Sequence, residues 1–179
     1  MIVGKRSDFE RIPRDDYATP VAAVLPLLRQ LPAASRFVEP CCSCGKSRLA
    51  DVLVDAGHVL IGAYGLPERD ARVAQYKMPI NTIFATNPPY HGQAKDLHRL
   101  IANLSDQAET WLLLPLDWCA NLGSGEIIRT RCSLIAVIGR IRWFPDTPCS
   151  SKDNYAWVKF SRVEATAITR FVGRVAALP

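Results

Sequence analysis

No stretch of the chain approaches the ~20 consecutive apolar residues that cross a bilayer. The opening segment, MIVGKRSDFERIPRDD, is charged throughout and has no apolar signal core. These two absences lead us to expect a cytoplasmic protein with no membrane partner. There is no internal repeat, no low-complexity tract and no Gly/Ser linker, so residues 1–179 are read as a single domain. Histidine is scarce, and His58, His91 and His98 form no H-x3–5-H pair. Cys41 and Cys44 have C-x-x-C spacing, but Cys42, Cys119, Cys132 and Cys149 supply no second pair of the kind a zinc site needs. No metal is expected, and the cysteines are read as thiols. Gly45-Lys46-Ser47 ends like a phosphate-binding loop, yet position 40 is Pro where that motif needs Gly, which excludes nucleoside triphosphate binding by it.

What is present is an ordinary globular composition, 49% apolar and 22% charged, large enough for a full core. The net charge of +5 is unevenly placed. From Arg129 onward nine Lys/Arg face three Asp/Glu, whereas the first 128 residues hold thirteen basic and fourteen acidic groups. A basic C-terminal portion on a neutral body fits a polyanionic partner such as nucleic acid, or simply a solvated basic face.

Short apolar runs alternate with helical patterns. Strands are expected at Arg36–Glu39, His58–Tyr64, Ile80–Ala85 and Trp111–Leu116. Ser47–Ala56 carries Leu49, Val52, Leu53 and Ala56 at helical spacing, with Gly57 as its stop. Leu97, Leu100, Ile101 and Leu104 form one face of a further helix. Leu134–Ile138, or a little beyond, and Tyr155–Phe160 flank a polar loop and read as a closing hairpin. Ile168, Phe171, Val172 and Val175 predict a terminal helix. The alternation implies an α/β fold with a mostly parallel sheet covered on both faces. Such sheets bind ligands at the carboxyl ends of their strands. Glu39–Gly45 and Asn87–Tyr90 lie there, and Asp117 and Trp118 are expected to face the same crevice.

Asn87-Pro88-Pro89-Tyr90 carries the most information. Two prolines remove two backbone donors and fix φ twice, leaving a stiff loop with free carbonyls. Asn87 adds an acceptor and Tyr90 a flat π face with a polar tip. Two convergent acceptors beside an aromatic platform suit a planar amine such as the amino group of adenine. Accepting its two hydrogens, on the Asn87 side chain and the Pro88 carbonyl, favours a pyramidal nitrogen with an available lone pair. The plainer reading is a rigid turn that ends a strand.

At these residues the sequence resembles the S-adenosylmethionine-dependent amino-methyltransferases with an (N/D)-P-P-(Y/F) motif, especially compact phage-type DNA adenine methyltransferases. Asp16-Tyr17-Ala18-Thr19-Pro20 is similar to their N-terminal cofactor motif. Phe37-Val38-Glu39-Pro40, with Cys41–Gly45, resembles the first cofactor loop. Trp111–Pro115 resembles the strand after the catalytic motif, and Lys152–Trp157 the segment opening the last strand. The resemblance implies a Rossmann-like methyltransferase sandwich with an antiparallel strand near the C-terminal end and no separate target-recognition domain. It implies S-adenosylmethionine as cofactor, held by Tyr17, Thr19, Pro20, Glu39, Pro40, Cys41, Gly45 and Asp70, the last reading its adenine. Asn87, Pro88, Pro89 and Tyr90 are then catalytic, and the partner is DNA with a flipped adenine. Candidate nucleic-acid contacts are Arg140, Arg142, Lys152 and Tyr155, with the loop Pro145–Asn154 reading a short sequence. Two departures stand out: Ser43 replaces the first glycine of the family's G-x-G, and Tyr64 stands where an acid usually ends the second strand. They keep open a decayed relative that binds DNA without chemistry. The same chemistry on RNA or on a protein glutamine is the other alternative.

Overall fold

A computed structural model describes residues 18–42, 46–90, 94–144, 150–162 and 168–174. Tyr17, Ser43, Gly45, His91 and residues 145–149 of the loop Pro145–Asn154 therefore lie outside the described residues. The strands are β1 (Arg36–Glu39), β2 (Val59–Ala63), β3 (Thr82–Thr86), β4 (Thr110–Pro115), β5 (Cys132–Arg140), β6 (Asn154–Phe160) and β7 (Arg170–Val172). They form one sheet in the order β2-β1-β3-β4-β6-β5-β7. β2, β1, β3 and β4 pair in parallel, and β6 is antiparallel to both β4 and β5. β6 alone is thus reversed, and β5 ends at the same sheet edge as β1, β3 and β4. The chain winds from β1 outward to β2, then crosses back to β3 on the other side of β1. This places a switch point between β1 and β3.

The sheet is apolar on both faces because it is covered on both faces. Trp111, Leu113 and Trp157 pack on one side with α1 (Val21–Leu28) and α2 (Arg48–Asp55). Leu112, Leu114 and Phe160 pack on the other with α3 (Ala94–Gln107) and α4 (Leu116–Cys119). Successive β4 residues point to opposite layers, as strand geometry requires. α2 starts where Ser47 accepts the Ala50 N–H at 3.0 Å, and it stops at Gly57, whose φ of 88° suits a residue without Cβ. The hairpin β5–β6 is irregular near Gly139, which has φ 92° beside a register shift. α5 (Gly125–Arg131) precedes β5, and its last turn carries Arg129 and Arg131, where cations suit the helix dipole. Among the described residues no helix is long and apolar enough to cross a membrane.

Two expectations are corrected. The tail forms the edge strand β7, parallel to β5, and no helix spans 168–174. Its backbone satisfies the outer edge of β5, and Thr169 adds a 2.8 Å bond to the Cys132 carbonyl. Trp118 does not face the crevice. It packs edge-on against His98 and Phe160, the latter opposite Thr110 at the far end of β4, while Asp117 is exposed.

The indole of Trp157 is fully buried and donates to the Ala23 carbonyl at 2.7 Å, joining the last long strand to α1. Trp157→Phe leaves that carbonyl bare and a small cavity beside it. We expect a loss of roughly 2–4 kcal/mol, read as a lower urea midpoint with an unchanged m-value.

Candidate active site at the carboxyl edge

β1 delivers Glu39 to the carboxyl edge beside the switch point, with only 3% exposure. Two hydroxyls donate to its carboxyl group: Ser47 Oγ to Oε2, and Thr86 Oγ1 to Oε1 at 3.2 Å. Ser47 caps α2 and Thr86 ends β3, so one side chain ties β1, β3 and α2 together. Burial is the main influence on its acidity. It raises the pKa to about 8, with Asp51 adding to the rise and the Thr86 hydrogen bond opposing it. At pH 7 Glu39 is therefore mainly a neutral acid.

Pro40 is buried, and Cys41 follows it. The Cys41 thiol is pushed up to about 12 by burial, against a hydrogen bond with Thr86. It is not a nucleophile at neutral pH. The loops after β1 and β2 are laced together: Tyr64 N–H donates to the Glu39 carbonyl and Cys42 N–H to the Tyr64 carbonyl, both at 2.8 Å. Gly65 follows. A Cβ on it would stand 1.9 Å from the Cys42 carbonyl oxygen, so only glycine permits this approach. Cys41, Cys119 and Cys132 are free thiols, and among the described residues no group of three or more His, Cys, Asp or Glu side chains is placed to hold a metal.

Asn87-Pro88-Pro89-Tyr90 leaves the end of β3 at the same edge. Pro88 is buried, Pro89 exposed, and Asn87 and Tyr90 are half-buried. The Tyr90 hydroxyl lies 2.8 Å from Asn87 Oδ1 and also against the Leu113 carbonyl, two acceptors that share its one proton. The tyrosine thereby orients the Asn87 amide. The Tyr90 ring lies 6.2 Å from that of Tyr155, which meets Trp143 edge-on at 5.4 Å.

The other expected residues fall in three places. Thr19 is buried just before Pro20, which opens α1. Asp70 lies after β2, with both carboxylate oxygens held by Arg72, the closest contact being 2.7 Å. Those bonds hold its pKa below the usual carboxylate range. Arg140 and Arg142 are exposed and Lys152 is half-buried, all at the carboxyl-edge end of the β5–β6 hairpin. Tyr155 is corrected. It is 8% exposed and packed between Tyr90 and Trp143, so it backs the Asn87–Tyr90 loop and offers little surface to a nucleic acid. All four tryptophans are likewise buried. Sequence reasoning missed Ser47, Thr86 and Tyr76. Ser47 had a signal, since a serine before an apolar-periodic run marks a helix cap.

No protein-family model matches the chain, and no curated protein matches it. Among solved structures it is similar to a TehB-like SAM-dependent methyltransferase from Corynebacterium glutamicum. There the identity is 13% and the TM-score 0.46, over 79% of this chain and 88% of that one. It is also similar to a dimethyladenosine transferase from Plasmodium falciparum, at 12% identity and TM-score 0.47, over 81% of this chain and 62% of that one.

Glu39 has a folded-state pKa above its unfolded value, so the folded state retains a proton that the unfolded state releases near pH 4.5. Stability contributed at this site is therefore full below about pH 4.5 and falls as pH rises toward about 8. Glu39→Gln should flatten that decline between pH 5 and 8. Thermal melts of both proteins across this range check it, and parallel curves would show that Glu39 ionises freely.

Proposed function

We propose that the protein transfers a methyl group from S-adenosylmethionine to the exocyclic amino group of adenine in DNA. The observation that carries this reading is the position of Asn87–Tyr90. This stiff acceptor loop leaves β3 beside the switch point, next to the buried Glu39 that ends β1.

The residues present fit the cofactor. An α/β switch-point crevice is where such ligands bind, the β1 and β2 loops are fixed against each other at Gly65, and the buried Tyr76 hydroxyl has no partner among the described residues. Glu39, Pro40 and Cys41 would line the methionine end, with Asp70 at the adenine end. Thr19 and Pro20, at the head of the helix that packs on α2, complete the set. When bound, S-adenosylmethionine supplies an electrophilic methyl on a sulfonium. The chain's own residues do the rest. Asn87 Oδ1 and the Pro88 carbonyl accept the two amino hydrogens of a flipped adenine, drawing the nitrogen lone pair out of conjugation. Tyr90 holds Asn87 in place through its hydroxyl, and its ring borders the base. The methylated nitrogen gives up one proton to solvent. Extruding the base costs a few kcal/mol, offset by stacking and amino hydrogen bonds. Arg140, Arg142 and Lys152 rim the same edge and serve as sequence-independent phosphate contacts.

Calorimetry tests the cofactor assignment. S-adenosylmethionine should bind, and with Glu39 protonated in the free protein, a ligand ammonium beside it should expel that proton. Affinity should then rise from pH 6 to 8, and Glu39→Gln should lose the rise. Absence of heat at millimolar cofactor would favour a DNA-binding protein without chemistry. Asn87→Ala should lower turnover on adenine-containing DNA by ~100- to 1000-fold, as for a lost transition-state acceptor, with cofactor and DNA affinity little changed. Tyr90→Phe loses one orienting hydrogen bond and should cost about fivefold. Wild-type turnover by Asn87→Ala would reduce the segment to a turn.

A further inference from the structure

Tyr76 is 8% exposed, and its hydroxyl has no hydrogen-bond partner among the described residues. Native structures satisfy nearly all buried hydroxyls, so an exception calls for a reason. Packing alone does not supply one. The ring meets Phe84 edge-on at 5.0 Å and Tyr64 at 5.6 Å, and a phenylalanine would fill the same space.

The surroundings point outward to the site. The ring lies beside that of Tyr64 and under the Arg69 guanidinium, and the hydroxyl is near enough to Cys41 and Asp70 for their ionisation to bear on its own. Cys41 follows Glu39 by two residues, so the hydroxyl belongs to the carboxyl edge of β1 and β2. The segment is also held still. Tyr76 N–H donates to Gln107 Oε1 at 2.9 Å, and Asn103 Nδ2 donates to the Ala71 and Ala74 carbonyls, each at 2.9 Å. Arg69 places its guanidinium 4.2 Å from the Tyr64 ring centroid and 5.2 Å from that of Tyr76. A planar cation rests on these π faces, the kind of surface on which a purine also stacks, and its long stem can swing aside.

We propose that the Tyr76 hydroxyl is a ligand-binding group that hydrogen-bonds the nucleoside part of S-adenosylmethionine once Arg69 moves off the two rings. This rests on the reading of the edge as a cofactor crevice. Burial keeps the phenol protonated well above neutral pH, so it donates to a ring nitrogen or a ribose oxygen. α3 holds the backbone of the segment in place.

Tyr76→Phe separates a ligand role from a structural one by sign. Removing an unpartnered buried hydroxyl should leave the ligand-free melting temperature unchanged or raise it. The same change should weaken binding of S-adenosylmethionine, and of adenosine alone, by about tenfold in calorimetry. If the wild type binds the cofactor and Tyr76→Phe binds it equally well, the inference is wrong while the cofactor reading stands. A fall of several degrees in the ligand-free melting temperature makes the hydroxyl structural and also overturns it. If the wild type binds neither probe, the cofactor reading fails and takes this inference with it.

Discussion

The carboxyl edge depends on one buried acid. Placing Glu39 in the interior is costly for the charged form, and the chain offsets that cost with two hydroxyl donors and a retained proton. The consequence is geometric. Ser47 positions the start of α2, Thr86 positions the end of β3, and both are referred to the end of β1. The acceptor loop that follows Thr86 is therefore anchored at its first residue to the centre of the sheet. At its last residue, Tyr90 is tied to β4 through the Leu113 carbonyl. A loop pinned at both ends and stiffened by two prolines is preorganised, which is the condition under which fixed dipoles act on a developing charge.

Strand direction then gathers the remaining candidates. Because β6 alone is reversed, β5 finishes at the edge where β1 and β3 finish, and the start of β6 returns to it. That topology brings the exposed Arg140 and Arg142 to the rim and puts Tyr155 behind Tyr90. Exposed positive charge and the stiff acceptor loop thus share one edge.

Much of this was legible in the sequence for stated reasons. β1 to β4 are continuous apolar runs in a doubly covered sheet, and α2 has a clear apolar stripe and a Gly57 stop. The Asn87–Tyr90 segment was readable because proline chemistry is local. What failed was decided by tertiary contacts. Ile168, Phe171 and Val172 fit a helical stripe, but the three residues Arg170–Val172 are enough for a strand, and the outer edge of β5 settled the matter. Tyr155 follows a polar loop, which pointed outward, yet strand alternation and the neighbouring Tyr90 turn it inward. Tyr76 had no signal, because an unpartnered hydroxyl is visible only when every neighbour is known.

The central claim is methyl transfer to adenine. Its most direct test is incubation of the full chain with methyl-labelled S-adenosylmethionine and adenine-containing DNA, followed by digestion to nucleosides. The account predicts label in N6-methyladenine, and none when every adenine is replaced by a base lacking the exocyclic amine. Cofactor binding with no label in DNA nucleosides, or label confined to RNA or protein, would contradict it.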